Sequence, residues 1–458
     1  MNKNHNSGKY YVLIIVIILS SVLLLSTLSS ASLSDYWFDF LGSSEIIYVV
    51  PVLLIFLIIS ILIVFRSVVA QRIKYTKSDK AWKANAQKTA TTVRKKAEGP
   101  SRFYMLSEVD RVMSQKVQTG FNEEIGLKEF CEQFRNFCAS RLKLYYDIRD
   151  IRRFVASLAV SHIIIMQGMS GTGKTSLAYA LGEFLNNRSV VVPIQPMWKE
   201  RTDLIGYYNE FTKKFNETTL LHKMYEANYS KEIYVTVLDE MNIARVEYYF
   251  AEFLSLLELP NPEGRYLDVV SDKWENDPKL LKKGQLKLPE NMWFIGTANN
   301  DDSTFAISDK VYDRAMIMNL DKKSQVFYAE DTEGIKLTYE RFKQLIEKAK
   351  REYGITGRKL RQVKGLDKYM INNFHVTFGN RIMKQLKEYV SSYIACGGTE
   401  DEAIDDMIVK KIMRKLETQN PVYVRNAIDG LCAYIDEEFG EDKLTLTKEY
   451  LRHLERTI

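Results

Sequence analysis

Cysteine, histidine and proline are scarce in this chain, with 4 Cys, 5 His and 9 Pro in 458 residues. Cys131, Cys138, Cys396 and Cys432 form no CxxC pair and no Cys/His cluster of zinc spacing, which excludes a disulfide scaffold and a zinc finger and reads as reduced thiols. His5, His162, His222, His375 and His453 fall into no HExxH pattern, and no GxSxG turn occurs, so zinc-protease and serine-hydrolase chemistry lack their residues. No internal repeat of solenoid period is visible, and with 22 Gly and 46% hydrophobic residues the collagen-like and disordered classes are out. The length suits two or three domains. An overall excess of one charge is missing too, since 64 Lys+Arg stand against 58 Asp+Glu. The +6 balance is uneven: residues 66–102 hold eleven Lys/Arg against Asp79 and Glu98, a local +9, leaving −3 elsewhere. A chain-wide nucleic-acid binder is therefore disfavoured.

What is present at the N-terminus is apolar. Residues 10–33 carry no charge, and residues 46–65 read IIYVVPVLLIFLIISILIVF. Each stretch is long enough, at about 1.5 Å per helical residue, to cross a hydrocarbon core of about 30 Å. The readings are a two-span transmembrane hairpin, a cleaved signal followed by one anchor, or two buried helices. The first is preferred, because a signal core is usually only about 7 to 15 residues. Lys3 and Lys9 before the first span, Asp35 and Asp39 between the spans, and Arg66, Arg72 and Lys74 after the second predict a multi-pass membrane protein with both ends cytoplasmic. Residues 67–100 then read as a basic juxtamembrane stalk, facing anionic headgroups or simply solvated, ended by Gly99-Pro100.

The chemistry begins at SHIIIMQGMSGTGKTSLAYALGEFL. A β-branched run, Ile163 to Ile165, enters Gly168-x-x-x-x-Gly173-Lys174-Thr175, and an amphipathic helix leaves it. Strand, glycine loop and helix in that order make a phosphate cradle. Backbone N–H groups of the loop, which includes Ser170, Gly171, Thr172 and Ser176, turn toward phosphate oxygens, Lys174 reaches the β- and γ-phosphates, and Thr175 holds Mg²⁺. Downstream, IYVTVLDE brings Asp239 and Glu240 to the end of a second strand, Asp239 for the metal and Glu240 to activate an attacking water. A third strand, NMWFIGTANN, ends in Asn299, which can hold that water or simply belong to an Asn-rich turn.

The ordered set GMSGTGKTSL, VLDEMNIARVEYYFAEFLSLLE, FIGTANNDDSTFAISDKVYDRA and FGNRIMKQLKEYV resembles the dynein-related AAA+ ATPases, in particular their McrB-like and MoxR-like branch, over more than half the chain. The resemblance implies an α/β P-loop core of parallel sheet and flanking helices with a C-terminal helical lid. It implies Gly168, Gly173, Lys174 and Thr175 as Walker A, Asp239 and Glu240 as Walker B, Asn299 as sensor 1 and Arg381 as the sensor 2 arginine. A trans-acting arginine falls to Arg314 or Arg245, either of which can equally be an ordinary salt-bridged residue. Trp198, Tyr207 and Tyr208 match an insertion where such rings grip a polymer, although packing serves them as well. The sequence MNIAR after Walker B departs from the INRAN of the GTP-using McrB, so ATP is the expected nucleotide.

The expected organisation is thus two spans in 1–66, the stalk in 67–100, a helical cap in 101–158, the core in 159–322, and the lid with C-terminal helices in 323–458. Tyr145 and Tyr146 of the cap can touch adenine or pack in the core. The expected activity is a membrane-anchored ATPase, using ATP and Mg²⁺ in a ring, hexameric by resemblance, to remodel or translocate an unidentified substrate. The alternative is a nucleotide-gated scaffold or regulatory subunit for a separately encoded restriction or defence effector, with GTP possible; direct nucleic-acid binding is not expected.

Overall fold

A computed structural model describes residues 101–114, 120–122, 124–299, 304–321 and 324–457. The described elements begin with α1 (Met105–Met113), α2 (Leu127–Leu142), α3 (Ile148–Val160), β1 (Ile163–Gln167), α4 (Lys174–Phe184) and β2 (Val190–Pro193). Next come α5 (Arg201–Ile205), the hairpin of β3 (Gly206–Asn209) and β4 (Lys214–Glu217), α6 (Thr219–Ala227), β5 (Tyr234–Asp239), α7 (Val246–Tyr249) and α8 (Ala251–Glu258). A second hairpin, β6 (Tyr266–Asp268) and β7 (Gln285–Lys287), precedes β8 (Met292–Ala298), α9 (Asp309–Tyr312) and β9 (Met316–Asn319). Six helices follow: α10 (Tyr339–Glu352), α11 (Gly357–Phe374), α12 (Gly379–Ala395), α13 (Glu400–Lys411), α14 (Pro421–Phe439) and α15 (Thr445–Thr457).

Five strands form one parallel sheet in the order β2-β5-β8-β1-β9. A parallel strand covered on both faces needs a continuous apolar run rather than alternation. IIIM, YVTVL and MWFIGTA supply it, and all seven residues of β8 are buried. Ile163 lies beside Phe294 and Ile164 beside Met316, so the strands run level and Gln167, Asp239 and Ala298 finish at one edge of the sheet. That edge is where ligands of open parallel sheets bind.

Successive side chains point to opposite faces. Ile164, Met166, Val237 and Ile295 join a core with α2, α3, α4 and the lid, in which the Phe130 and Phe184 rings meet edge-on at 5.3 Å. Ile165, Leu238, Phe294 and Ile317 join a second core with α1, α6 and α8, in which Phe250 stacks on Phe253 at 4.9 Å. Each fully buried ring contributes roughly 1.5–3 kcal/mol over its exposed state. The stretch 101–158, read from sequence as a single cap, divides between these cores: α1 packs on one face and α2 and α3 on the other. The sequence period reports that each helix has an apolar stripe but not which face receives it.

The chain enters this domain under restraint. The buried Arg102 guanidinium donates to Asp272 and Asp277, both in the loop between β6 and β7, and lies over the Trp274 ring at 4.4 Å. Glu217, at the end of β4, accepts from the backbone N–H groups of Tyr104, Met105 and Leu106 at 2.7–2.9 Å, satisfying the free donors at the start of α1.

The expected multi-pass membrane placement is corrected: among the described residues, no helix is long and apolar enough to cross a membrane. The longest of them, α14, carries Arg425, Asp429, Asp436, Glu437 and Glu438, too many charges for a hydrocarbon core. The spans read at 10–33 and 46–65, and the stalk at 67–100, lie outside the described residues.

Candidate active site

The loop between β1 and α4 is shaped by glycine. Gly168 has φ +141°, and a Cβ there would stand 2.4 Å from the Leu320 carbonyl oxygen, so no other residue fits. Gly173 has φ +94°, and its carbonyl accepts from the Tyr146 hydroxyl at 2.9 Å. Tyr146 is buried in the core and also braces the phosphate loop from behind, which sequence reading offered only as adenine contact or packing. Lys174, the first residue of α4, folds back so that Nζ donates to the carbonyls of Gly168 at 2.9 Å and Met169 at 2.8 Å. Burial lowers its pKa, opposed by the charges of Asp321, Asp239 and Glu240. Ser170, Gly171, Thr172 and Ser176 complete the loop and the first turn of the helix, Thr172 bonding back to the Met169 carbonyl at 3.0 Å.

A hydrogen-bonded chain then runs from α4 across two neighbouring strands, β5 and β8. Thr175 Oγ1 donates to Asp239 Oδ1 at 2.8 Å, and Thr297 Oγ1 donates to the same oxygen at 2.9 Å. The Thr297 hydroxyl in turn accepts from the Glu240 backbone N–H at 2.9 Å. Glu240 sits in the left-handed region at φ 52°, which turns the chain sharply off β5 and leaves its carboxylate exposed. Asn299 Nδ2 approaches Glu240 Oε1 at 3.4 Å, a long contact. Asn242 donates to the Asn299 carbonyl at 2.9 Å, tying the turn after β5 to the end of β8. Neither Thr297 nor Asn242 was picked out from sequence. The available signal was Thr297 itself, a lone hydroxyl in a wholly buried strand, which needs partners.

The donor set suits a hard cation: a threonine hydroxyl and one carboxylate, 2.8 Å apart, beside a phosphate cradle, match the oxygen preference of Mg²⁺, which completes its shell with water and phosphate. A cavity of about 560 Å³ opens at this edge, with Gln167, Asn299 and Asp321 facing Arg414 and Tyr450 from the C-terminal helices.

The three candidate arginines separate. Arg245 stays near this edge, its guanidinium 5.0 Å from the Phe305 ring centre. Arg314 precedes β9, and its carbonyl accepts from the hydroxyl of Ser161, which precedes β1, so it lies at the opposite end of the sheet from the glycine loop. Arg381, read from sequence as the sensor 2 arginine, lies at the start of α12 and pairs away from the chain's own glycine loop. Its guanidinium pairs with Glu258, whose other carboxylate oxygen takes Arg314 Nε at 2.6 Å. Trp198 packs edge-on against Tyr249 at 5.9 Å, and Tyr208 against Trp274 at 6.0 Å, whereas Tyr207 is half-exposed and Phe211 almost fully exposed on the β3–β4 hairpin.

Residues 163–315, which hold the glycine loop, the β5 carboxylates and the β8 asparagine, match the family model described as the AAA domain of the dynein-related subfamily. Over this stretch, about a third of the chain, the sequence is similar to an AAA domain. Among solved structures, a "putative ATPase" from Cytophaga hutchinsonii ATCC 33406 aligns with this chain at a TM-score of 0.44 and 12% identity, covering 72% of this chain and 96% of its own. No curated protein matches the chain.

Proposed function

We propose that the AAA domain hydrolyses ATP at sites completed between neighbouring copies in a ring, and that the cycle drives remodelling or translocation of a macromolecular substrate. The observation that carries this reading is the Thr175–Asp239–Thr297–Glu240 chain, because a domain that only bound nucleotide would have no chemical need of an exposed carboxylate held one residue beyond the metal-binding one. Thr175 and Asp239 would hold Mg²⁺, which supplies charge neutralisation on the phosphates. Lys174 exchanges its two carbonyl partners for β- and γ-phosphate oxygens, and the N–H groups of Gly171 to Ser176 take the remaining charge. Glu240 accepts a proton from the attacking water, Asn299 orients that water, and an arginine of the adjacent copy stabilises the transferred charge. The exposed Tyr207 and Phe211 suit contact with a substrate.

The test is phosphate release by the full-length protein with ATP and GTP separately, across protein concentration, for wild type, Glu240→Gln and Lys174→Ala. Turnover of ATP that rises per subunit with concentration and vanishes in both variants is expected. Tight nucleotide binding with no turnover at any concentration would replace the motor by a nucleotide-gated scaffold for a separate effector.

A further inference from the structure

The end of the sheet remote from the glycine loop holds a cluster that the nucleotide chemistry of a single copy does not use. One carboxylate, Glu258, binds two guanidinium groups that come from segments far apart in sequence, Arg314 before β9 and Arg381 in α12. All three side chains are partly exposed, with Arg381 half in solvent. Two guanidinium groups repel each other and would not stand side by side without the anion between them. Glu258 is also the last residue of α8, where the helix end favours nearby cations. The backbone that carries Arg314 is held separately. Lys411 Nζ donates to the carbonyls of Tyr312, at 2.8 Å, and Ala315, while Arg414 pairs with Asp309 at 2.6 Å and Lys415 with Asp313 at 3.5 Å. The turn is fixed by the lid, so what remains for Glu258 is the direction of the two side chains. The cluster keeps a net positive charge and two planar donor groups, a set suited to an anion with several oxygens, such as a polyphosphate, and not to an apolar surface.

We infer that Glu258 is a positioning residue for a paired-arginine site, holding Arg314 and Arg381 together as one unit that meets the nucleotide phosphates on a second copy of this chain. The inference rests on the ring reading above and adds to it the partner surface and the residue that sets it. Glu258 touches neither nucleotide nor water; it acts through the arginines.

The experiment uses full-length protein and compares turnover of wild type, Glu258→Ala, Glu258→Gln, Arg314→Ala and Lys174→Ala, alone and mixed. Glu258→Ala is expected to lower kcat at least tenfold with KM within about twofold of wild type, and Glu258→Gln, which keeps one acceptor, to lose less. The decisive arm mixes Glu258→Ala with Lys174→Ala in equal amounts. The second variant cannot turn over at its own loop but offers an intact arginine pair, so turnover should rise well above the sum of the two alone. The mix of Arg314→Ala with Lys174→Ala should behave likewise. No rescue, or Glu258→Ala within twofold of wild type while Arg314→Ala is inactive, overturns the inference and leaves the ring reading intact. Wild-type turnover independent of concentration removes the ring reading and this inference with it. If Glu258→Ala does not fold by circular dichroism, Glu258→Gln takes its place in the same mix, with the same two outcomes.

Discussion

Thr297→Val removes one hydroxyl while keeping the shape and β-branching of the side chain. In the folded protein that hydroxyl makes two bonds of 2.9 Å, donating to Asp239 Oδ1 and accepting from the Glu240 N–H, and the residue is 2% exposed. Valine leaves the Glu240 N–H without its partner, a destabilisation of about 1–2 kcal/mol, the lower part of the range because this amide is only partly buried. The larger effect is on rate. The N–H bond, beside the Asn242 bond to the Asn299 carbonyl, holds the strained Glu240 turn against β8, and a misplacement of about 1 Å in a catalytic group lowers turnover by up to about 100-fold. A 10- to 100-fold loss of kcat is expected, about 1.4–2.8 kcal/mol in the barrier. KM should change little, since the Thr297 hydroxyl bonds Asp239 and the Glu240 N–H and no residue of the glycine loop. The assay is steady-state phosphate release at saturating ATP, paired with a thermal melt, with Thr297→Ser as the control that keeps both bonds and stays within about threefold of wild type. If Thr297→Val turns over within twofold of wild type, the hydrogen-bonded chain across the strands does not position Glu240.

Gly168→Ala should abolish nucleotide binding in a fluorescence titration, because its Cβ would stand 2.4 Å from the Leu320 carbonyl in a backbone region closed to alanine. Tyr146→Phe loses the bond to the Gly173 carbonyl, so ATP affinity measured by calorimetry should fall a few-fold, about 1 kcal/mol, with the fold intact. Asp406→Ala leaves Lys410 buried without its anion, while the part-exposed Arg153 keeps Asp150, and the melting curve should report a loss of about 3 kcal/mol. His162 is held neutral, its pKa lowered to about 4 chiefly by burial, with Nε2 donating to the Glu290 carbonyl at 2.9 Å and its ring stacked on Trp293. The unfolded chain binds this proton near pH 6.5 and the folded one near 4, so stability should decline by up to about 3 kcal/mol as pH falls through that window. His162→Gln should flatten this part of the pH–stability curve in urea unfolding; an unchanged slope would show that His162 titrates freely.

The sheet and the glycine loop were legible in the sequence because each is a local pattern. Strands buried on both faces must be apolar runs, and the loop needs glycines at fixed spacing between a strand and a helix. Asp239 and Glu240 could be read for the same reason, as polar residues where a buried strand ends. What escaped was set by contacts between distant segments. Thr297 acquires its role from Asp239 on the neighbouring strand, and Tyr146 from a carbonyl 27 positions away. Arg381 was assigned by its place in the lid, but the docking of α12 carries its side chain to Glu258, which no local pattern around FGNR reports. The cap divided between two faces for a like reason, since an amphipathic period marks a stripe without naming its partner. The expected membrane placement came from residues outside those described and finds no counterpart in the helices that are.

The strapping of Arg102 has a mechanical consequence. A pull on the preceding hundred residues would be felt first by its guanidinium on Asp272 and Asp277, and next by the backbone amides clasped by Glu217. Both anchors belong to the two hairpins, β6–β7 and β3–β4, and neither to the sheet edge with the glycine loop. Tension on the N-terminal side would thus be routed into the hairpins while the nucleotide machinery stays unloaded, and work done by the hairpins would register as strain at residue 102.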